Sequence, residues 1–459
     1  MDKIIKVICP NGHLSYARME KGSFDLGLQT KLDAICADAG SNDVGPYPLG
    51  ADSCTSPETW QRYDIENMLL AARKLKIPMI IGSANDCGSN KGVDKFVRIV
   101  REIAQEHKLP PFKLATIRCA IDKKHIQSAL EKGERIQGLD GRADLTRKDL
   151  HNTDGMVAVM GAEPIQRAVE TGADIIITSR TSDCCIFASF ALARGSSKDM
   201  AYYFGKVMEC ASFCAEPYMG KESIIGTVGK DYVIVEACHP GQRCTPASLA
   251  GHAMYERKDP FYEEVAGGTI DMRECRYEQI SEKATRVTGQ KFIKAKDYYV
   301  KLEGAGRIGE RRYIIVGIRD PMTVANITKA IDWAKDKVVE QFGKNGKDYH
   351  LFYHVYGQNA ILGEMEPVKE IKSHELCIAV EAVASTAEKA DTIATLGARS
   401  IFYARLKTKG TAGGAALLTD EPLVAKPVYN WTMNHIMKID DPYKHFPITI
   451  ETVNGEEKK

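Results

Sequence analysis

The 459-residue chain carries 62 Lys and Arg against 61 Asp and Glu, a net charge of +1, which gives no support for a nucleic-acid surface or a polybasic membrane segment. Its 44% hydrophobic and 27% charged residues are those of a globular protein long enough to bury a core without disulfides or metals as props. Thirteen cysteines are scattered without a CxxC pair, a secretory signal or a run near the ~20 apolar residues of a membrane span, so a cytoplasmic protein with reduced thiols is expected.

The first strand is expected at Ile4 to Cys9. Leu32 to Ala37 reads as a buried strand that ends in the polar run Asp38 to Asp43. A helix from about Pro57 follows, with Ser56 placed to cap it and Ile65, Met68, Leu69, Ala72 and Leu75 as its apolar stripe. IPMIIG (77–82) is a further buried strand and empties into Ser83, Ala84, Asn85, Asp86, Cys87, Gly88 and Ser89. The helix after it carries Val93, Phe96, Val97, Val100 and Ile103 on one face, and FKLATIRCAI (112–121) reads as the next strand. Residues 121–160 are charged and irregular, an expected lid, insertion or plain connection.

From Gly161 to Asp183 the chain reads GAEPIQRAVETGADIIITSRTSD. Pro164 suits a first helical turn and Gly172 a helix end. Ile175, Ile176 and Ile177 in a row are the mark of a strand buried on both faces, and Ser179 to Asp183 form its polar end. Strands alternating with amphipathic helices predict an α/β fold with a mostly parallel sheet flanked by helices, over residues 1–270. Three polar strand ends on one sheet edge then define a candidate site, because ligands bind beyond the carboxyl ends of parallel strands.

A helix from about Met200 to Cys214 is expected to hold Glu209 and Cys210. Ser223 to Val228 and Tyr232 to Ala237 read as paired strands. Cys238, His239, Arg243, Cys244 and Thr245 sit on a Pro/Gly-containing loop before a helix that starts at Pro246, capped by Thr245. A helix N-terminus beside Arg243 is a candidate anion site. Beyond about residue 270 the pattern becomes strand–strand–helix twice, an expected C-terminal α+β domain over 271–459. There YYVKLEGAG (298–306) and RRYIIVGIRD (311–320) suggest a hairpin, and a long helix is expected from Thr386 to Lys407.

GAGRIG (304–309) has dinucleotide-fingerprint spacing but the wrong context, and no Walker pattern occurs, so there is no NAD or ATP signature. GxSxG is absent as well. KGTAGGA (409–415) is either an anion nest or a tight packing loop. The acid–base candidates are Asp183, Glu209, His239 and Cys244, the last a thiol near a helix N-terminus. Candidate substrate-binding residues are Arg180, Ser182, Thr245, Arg243, Asp38, Asn42, Asn85 and Asp86, with Arg180 matched to a carboxylate. No residue is assigned to a metal; His239 and Cys244 as two metal ligands, or a divalent ion on Asp38, Asp86 and Asp183, are the alternative uses of those side chains.

The 161–183 segment resembles GA-x-PI-x-x-A-(x)n-GADIV-[IV]-x-GR-x-[ST]-D of the acyclic terpene utilisation protein family. MECAS (208–212) is similar to that family's EC-type helix end, and CTPASLAGHAMYERKDP (244–260) to its YE-x-x-DP stretch. The order holds over about residues 30–265. Ser179 stands where the family has Gly, Ala211 to Cys214 replace a TGG run, and GSNDVGPYP differs from the family's shorter loop. The resemblance implies a divergent catabolic enzyme with a site around Arg180, Asp183, Glu209 and Thr245. The expected function is acid–base chemistry on a small carboxylate or acyl substrate, as a hydratase, dehydratase, lyase or isomerase. A metal-dependent hydrolase and a noncatalytic subunit of a catabolic complex are the alternatives. The expected partners are the small-molecule substrate and a second copy or partner subunit, with no nucleic acid and no membrane.

Overall fold

The computed structural model describes residues 4–255, 257–407, 415–419 and 421–456. Most of KGTAGGA and the last three residues of the C-terminal tail lie outside the described residues. The chain forms two compact units, 1–306 with 431–459, and 307–430. The change in pattern near residue 270 therefore falls inside the first unit.

The first unit is built on a ten-stranded sheet. Five neighbouring strands are parallel, in the order Phe112–Ile117, Ile175–Thr178, Met79–Asp86, Ala34–Gly40, Ile5–Cys9. Antiparallel strands extend both sides: Ile448–Val453 beyond one edge, and Ile224–Val228, Val233–Ala237, Ala284–Thr288 and Arg276–Gln279 beyond the other. The fold is thus mixed α/β rather than mostly parallel. The βα alternation that predicts a parallel sheet stops at Ala193. The later strands are joined by tight turns such as Gly229–Lys230–Asp231, which permit only antiparallel pairing.

Alternation along the strands sends side chains to both faces. Ile176, Ile80 and Cys36 join the core beneath the helices Asp183–Ala193 and Lys198–Met208, whereas Ile175, Ile177, Ile81 and Ile35 pack under Glu58–Leu75 and Asn90–Glu106. This two-sided burial is why the isoleucine run is continuous. Residues 121–160 are part of the same unit: Gly155–Val159 pairs with residues 301–305, and Gln137–Gly138 with 436 and 435.

Local expectations change at several points. Pro57, not Ser56, occupies the N-cap of Glu58–Leu75, without a side-chain cap. The Met200–Cys214 helix ends at Met208, and Ala211–Cys214 is a separate 3-10 turn, which sets Glu209 at the helix end. The expected hairpin at 298–320 is a single strand, Tyr298–Ile318. Its glycines serve close packing rather than a turn: a Cβ on Gly306 would stand 1.9 Å from the Asn152 carbonyl oxygen.

The second unit packs the helices Ile327–Phe342 and Ala387–Phe402 on an antiparallel sheet of Tyr349–Tyr356, Leu376–Ala384 and residues 310–318. The second helix stops five residues before Lys407.

Candidate functional site

The three polar strand ends lie side by side and are bonded to each other. Ser41 N–H donates to the Asp86 carbonyl at 3.1 Å, and Arg180 N–H to the Gly88 carbonyl at 2.8 Å. Ser83 Oγ accepts from Thr181 N–H at 3.2 Å. Ser83, Asn85 and Asp86 all have positive φ (51°, 62° and 63°), an uncommon run for non-glycine residues and a mark of a constrained strand end. Gly88 is required here: its φ is 64°, and a Cβ would lie 2.4 Å from the Arg180 backbone.

Arg180 is buried and ties this edge together. Its Nη1 donates to Asp183 Oδ1 at 2.7 Å, Ser83 Oγ at 3.1 Å and the Thr181 carbonyl at 3.1 Å. Nε donates to Glu303 Oε2 at 3.2 Å and Nη2 to Asn42 Oδ1 at 3.0 Å. Asn42 Nδ2 in turn donates to Glu303 Oε1 at 2.8 Å. All three guanidinium nitrogens are therefore engaged within the protein, which suits a residue that positions Asp183 and Asn42.

Asp183 opens the buried helix Asp183–Ala193 and faces a cavity of about 670 Å³. Asp38, Asn42, Glu209, Cys210, Lys206 and Glu263 also line it. Lys206 is buried among the apolar and aromatic side chains of the helix Lys198–Met208 and needs acidic partners. It pairs with Glu209, and its Nζ lies 3.4 Å from Glu263 Oε2. Burial alone would lower its pKa, but Glu209 and Glu263 raise it above the ordinary lysine value, so it stays cationic.

Burial pushes Glu209 up to about 8; Lys206 opposes this, and Glu263 and Asp183 add to it. Burial also holds Asp38 well above the carboxylate range, reinforced by Asp183 and opposed by Arg180. Burial thus favours the protonated form of each carboxyl. Burial, with Glu209 and Asp183 nearby, keeps the Cys210 thiol neutral as well. His13 is pushed down to about 4, first by burial and then by Lys221, so its ring is uncharged. Phe213, Tyr16 and Tyr218 are 48%, 56% and 60% exposed and form an aromatic rim on the same cavity.

The sequence profile of the acyclic terpene utilisation family protein AtuA matches residues 28–439. The chain belongs to that family. No curated protein and no solved structure matches it. In this AtuA-family chain the segment 161–183 delivers Arg180 and Asp183 to the central sheet edge, and the EC element delivers Glu209 and Cys210 to the cavity that Asp183 lines.

The remaining expected residues are not in that cavity. Asp86 accepts from Thr55 N–H at 2.6 Å and Thr55 Oγ1 at 2.7 Å, and does not join Asp38 and Asp183 on the cavity wall. Asn85 Oδ1 accepts from Gln61 and Lys95. Ser182 is the N-cap residue of Asp183–Ala193 and makes no capping bond. Arg243 is exposed and paired with Glu216 at 3.2 Å. His239 lies 4.0 Å from Glu222, and its Nδ1 accepts from Gly241 N–H. Cys244 is buried, which pushes its thiol up rather than activating it through the helix dipole. Thr245 forms a capping box with Ser248, a structural role. A second cavity, of about 780 Å³, lies in the second unit and holds none of the expected residues.

Lys206 stands three residues before Glu209, so an i,i+3 pair was readable on that helix. His13 follows the carboxyl end of Ile5–Cys9, a fourth parallel strand end. Lys221, Arg257, Glu263 and Glu303 come from distant segments that carry no local signal. Among the described residues no helix is long and apolar enough to cross a membrane.

Proposed function

We propose that the protein is an acid–base enzyme that moves a proton on a small carboxylate or acyl substrate bound in the 670 Å³ cavity. The observation that carries this reading is the pairing of two unlike carboxyls on one cavity wall. Asp183 is bonded to a guanidinium, and Glu209 is held at about 8. Two carboxyls in environments that differ in this way form an acid and a base. Asp183 is the base that takes a proton from carbon next to a carbonyl. Glu209 is the acid that returns a proton to the neighbouring atom, and the Lys206 charge stabilises the carboxylate left on it. Asp38, whose burial favours the protonated form, is placed to donate a hydrogen bond to the developing oxyanion. An isomerase or hydro-lyase reaction follows from such a set; the overall class is lyase or isomerase.

The test is solvent exchange. Incubated in D₂O with a panel of short carboxylates and acyl esters, the protein is expected to exchange protons next to the carbonyl of at least one compound. Asp183→Asn should slow that exchange about 10²–10⁴-fold. Exchange at the wild-type rate in both Asp183→Asn and Glu209→Gln would refute the reading.

A further inference from the structure

Lys221 enters the cavity from a constrained turn. Its φ is 71°, in the left-handed region that disfavours non-glycine residues. Lys221 is held through both backbone and side chain: its carbonyl accepts from Glu20 N–H at 3.0 Å, and Nζ donates to the His13 carbonyl at 2.7 Å. The ammonium stands 5.5 Å from the centre of the Tyr16 ring. An ammonium has three N–H donors, and only the one to His13 has a protein acceptor among the described residues.

The other cations of the cavity are different. Lys206 is shared by Glu209 and Glu263, and Arg257 is paired with Glu263. Lys221 is the one lysine or arginine of the cavity with no carboxylate at ion-pair distance among the described residues; Asp64 acts on it only from farther away. Burial works against its charge and lowers its pKa, which Asp64 offsets only in part, so an anion in direct contact would favour the charged form. The surrounding wall limits the size of that anion's charge. Asp38, Asp183, Glu209 and Glu263 line the same cavity, and a dianion would be repelled by any of them that ionises.

We propose that Lys221 is the anion anchor of this cavity and binds the carboxylate of a monoanionic substrate whose body lies against Tyr16, Phe213 and Tyr218. The proposal rests on the acid–base reading of the same cavity and assigns the carboxylate to Lys221, because Arg180 has no nitrogen outside the protein's own bonds. An anchor at Lys221 also leaves Asp183 and Glu209 free to face the substrate carbon.

The experiment is a ligand titration read by melting temperature, with hexanoate, hexanamide and hexyl phosphate as probes. Hexanoate is expected to stabilise the wild type; hexanamide should bind at least about tenfold more weakly because it loses the charge-assisted bond, and hexyl phosphate at least about tenfold more weakly because its second charge meets the carboxyl wall. Lys221→Met should weaken hexanoate about ten- to a hundredfold, and Lys221→Arg should restore most of it. Equal binding of hexanamide, stronger binding of hexyl phosphate, no binding of hexanoate, or undiminished binding in Lys221→Met would each overturn the anchor. Where both variants fail to fold, trace acetylation of the wild type replaces them: hexanoate should protect Lys221 and not Lys206, and no protection would count against the proposal. Asp183→Asn separates the two readings. Retained hexanoate binding with lost exchange supports both. Exchange that depends on Asp183 without any hexanoate binding removes the anchor and leaves the acid–base reading in place.

Discussion

Two polar stretches of the first unit look alike in sequence and differ in structure. SRTSD (179–183) and CHPGQRCT (238–245) both follow a strand, and both combine an Arg with acid–base or nucleophilic side chains. The first is buried, bonded to two neighbouring strand ends, and opens on a cavity beside a carboxyl held near 8. The second satisfies itself locally: Arg243 with Glu216, His239 with the Gly241 amide, Thr245 with Ser248. Residue type alone does not make a site. Convergence of several elements on one cavity, with groups whose charge burial disturbs, is what separates the two stretches.

The sharpest contrast is between the two arginines. Arg180→Met would leave Asp183 and the buried Glu303 without their shared cation, a loss of about 3–5 kcal/mol. Arg243→Met removes an exposed pair and should change stability by no more than about 0.5 kcal/mol. Chemical denaturation of both variants measures this; equal losses would break the comparison.

The next contrast is in activity. Glu209→Gln should lower turnover about 10²–10⁴-fold, whereas His239→Ala and Cys244→Ala leave it unchanged. Glu209→Gln should also alter the pH dependence of stability. The folded pKa of Glu209 is raised from 4.5 to about 8, so between those values the folded state holds a proton that the unfolded state has released. That contribution is complete at pH 4 and lost as pH rises through about 8, so stability falls with pH across this window. The variant should show a flatter dependence between pH 5 and 9, read by melting temperature.

Smaller effects follow from backbone and cap. Gly88→Ala places a Cβ against Arg180 at a positive φ and should cost more than about 1 kcal/mol, with turnover reduced because Arg180 shifts. Thr245→Ala removes a helix cap and should cost about 1 kcal/mol with turnover intact. A loss of turnover in Thr245→Ala as large as in Gly88→Ala would return the second loop to the site.

Much of the central edge was legible in the chain. The isoleucine run at 175–177 announced a strand buried on both faces, and the polar ends at Asp38, Ser83 and Ser179 proved to be neighbours because Met79–Asp86 pairs in parallel with Ala34–Gly40 on one side and with Ile175–Thr178 on the other. The mixed character of the sheet was not legible past Ala193, where pairing depends on turns rather than on a repeating βα pattern. The role of Arg180 was half legible. Its place beside Asp183 followed from three-residue spacing, but its bond to Glu303 joins residues 123 apart and has no local trace. The same holds for Lys221, which reaches the wall through a contact with His13 208 residues away. Cysteine chemistry misled for a physical reason: a helix N-terminus near Cys244 suggests a thiolate, and burial there favours the thiol instead.

The most direct measurement is the titration of Glu209 itself. Protein labelled with ¹³C at the glutamate side-chain carboxyl, compared with Glu209→Gln, isolates one resonance by difference. A midpoint of about 8 is expected, with Lys206 beside it still charged. A midpoint near 4.5, the ordinary glutamate value, would contradict the assignment of Glu209 as the acid and with it the acid–base pair at the centre of the cavity.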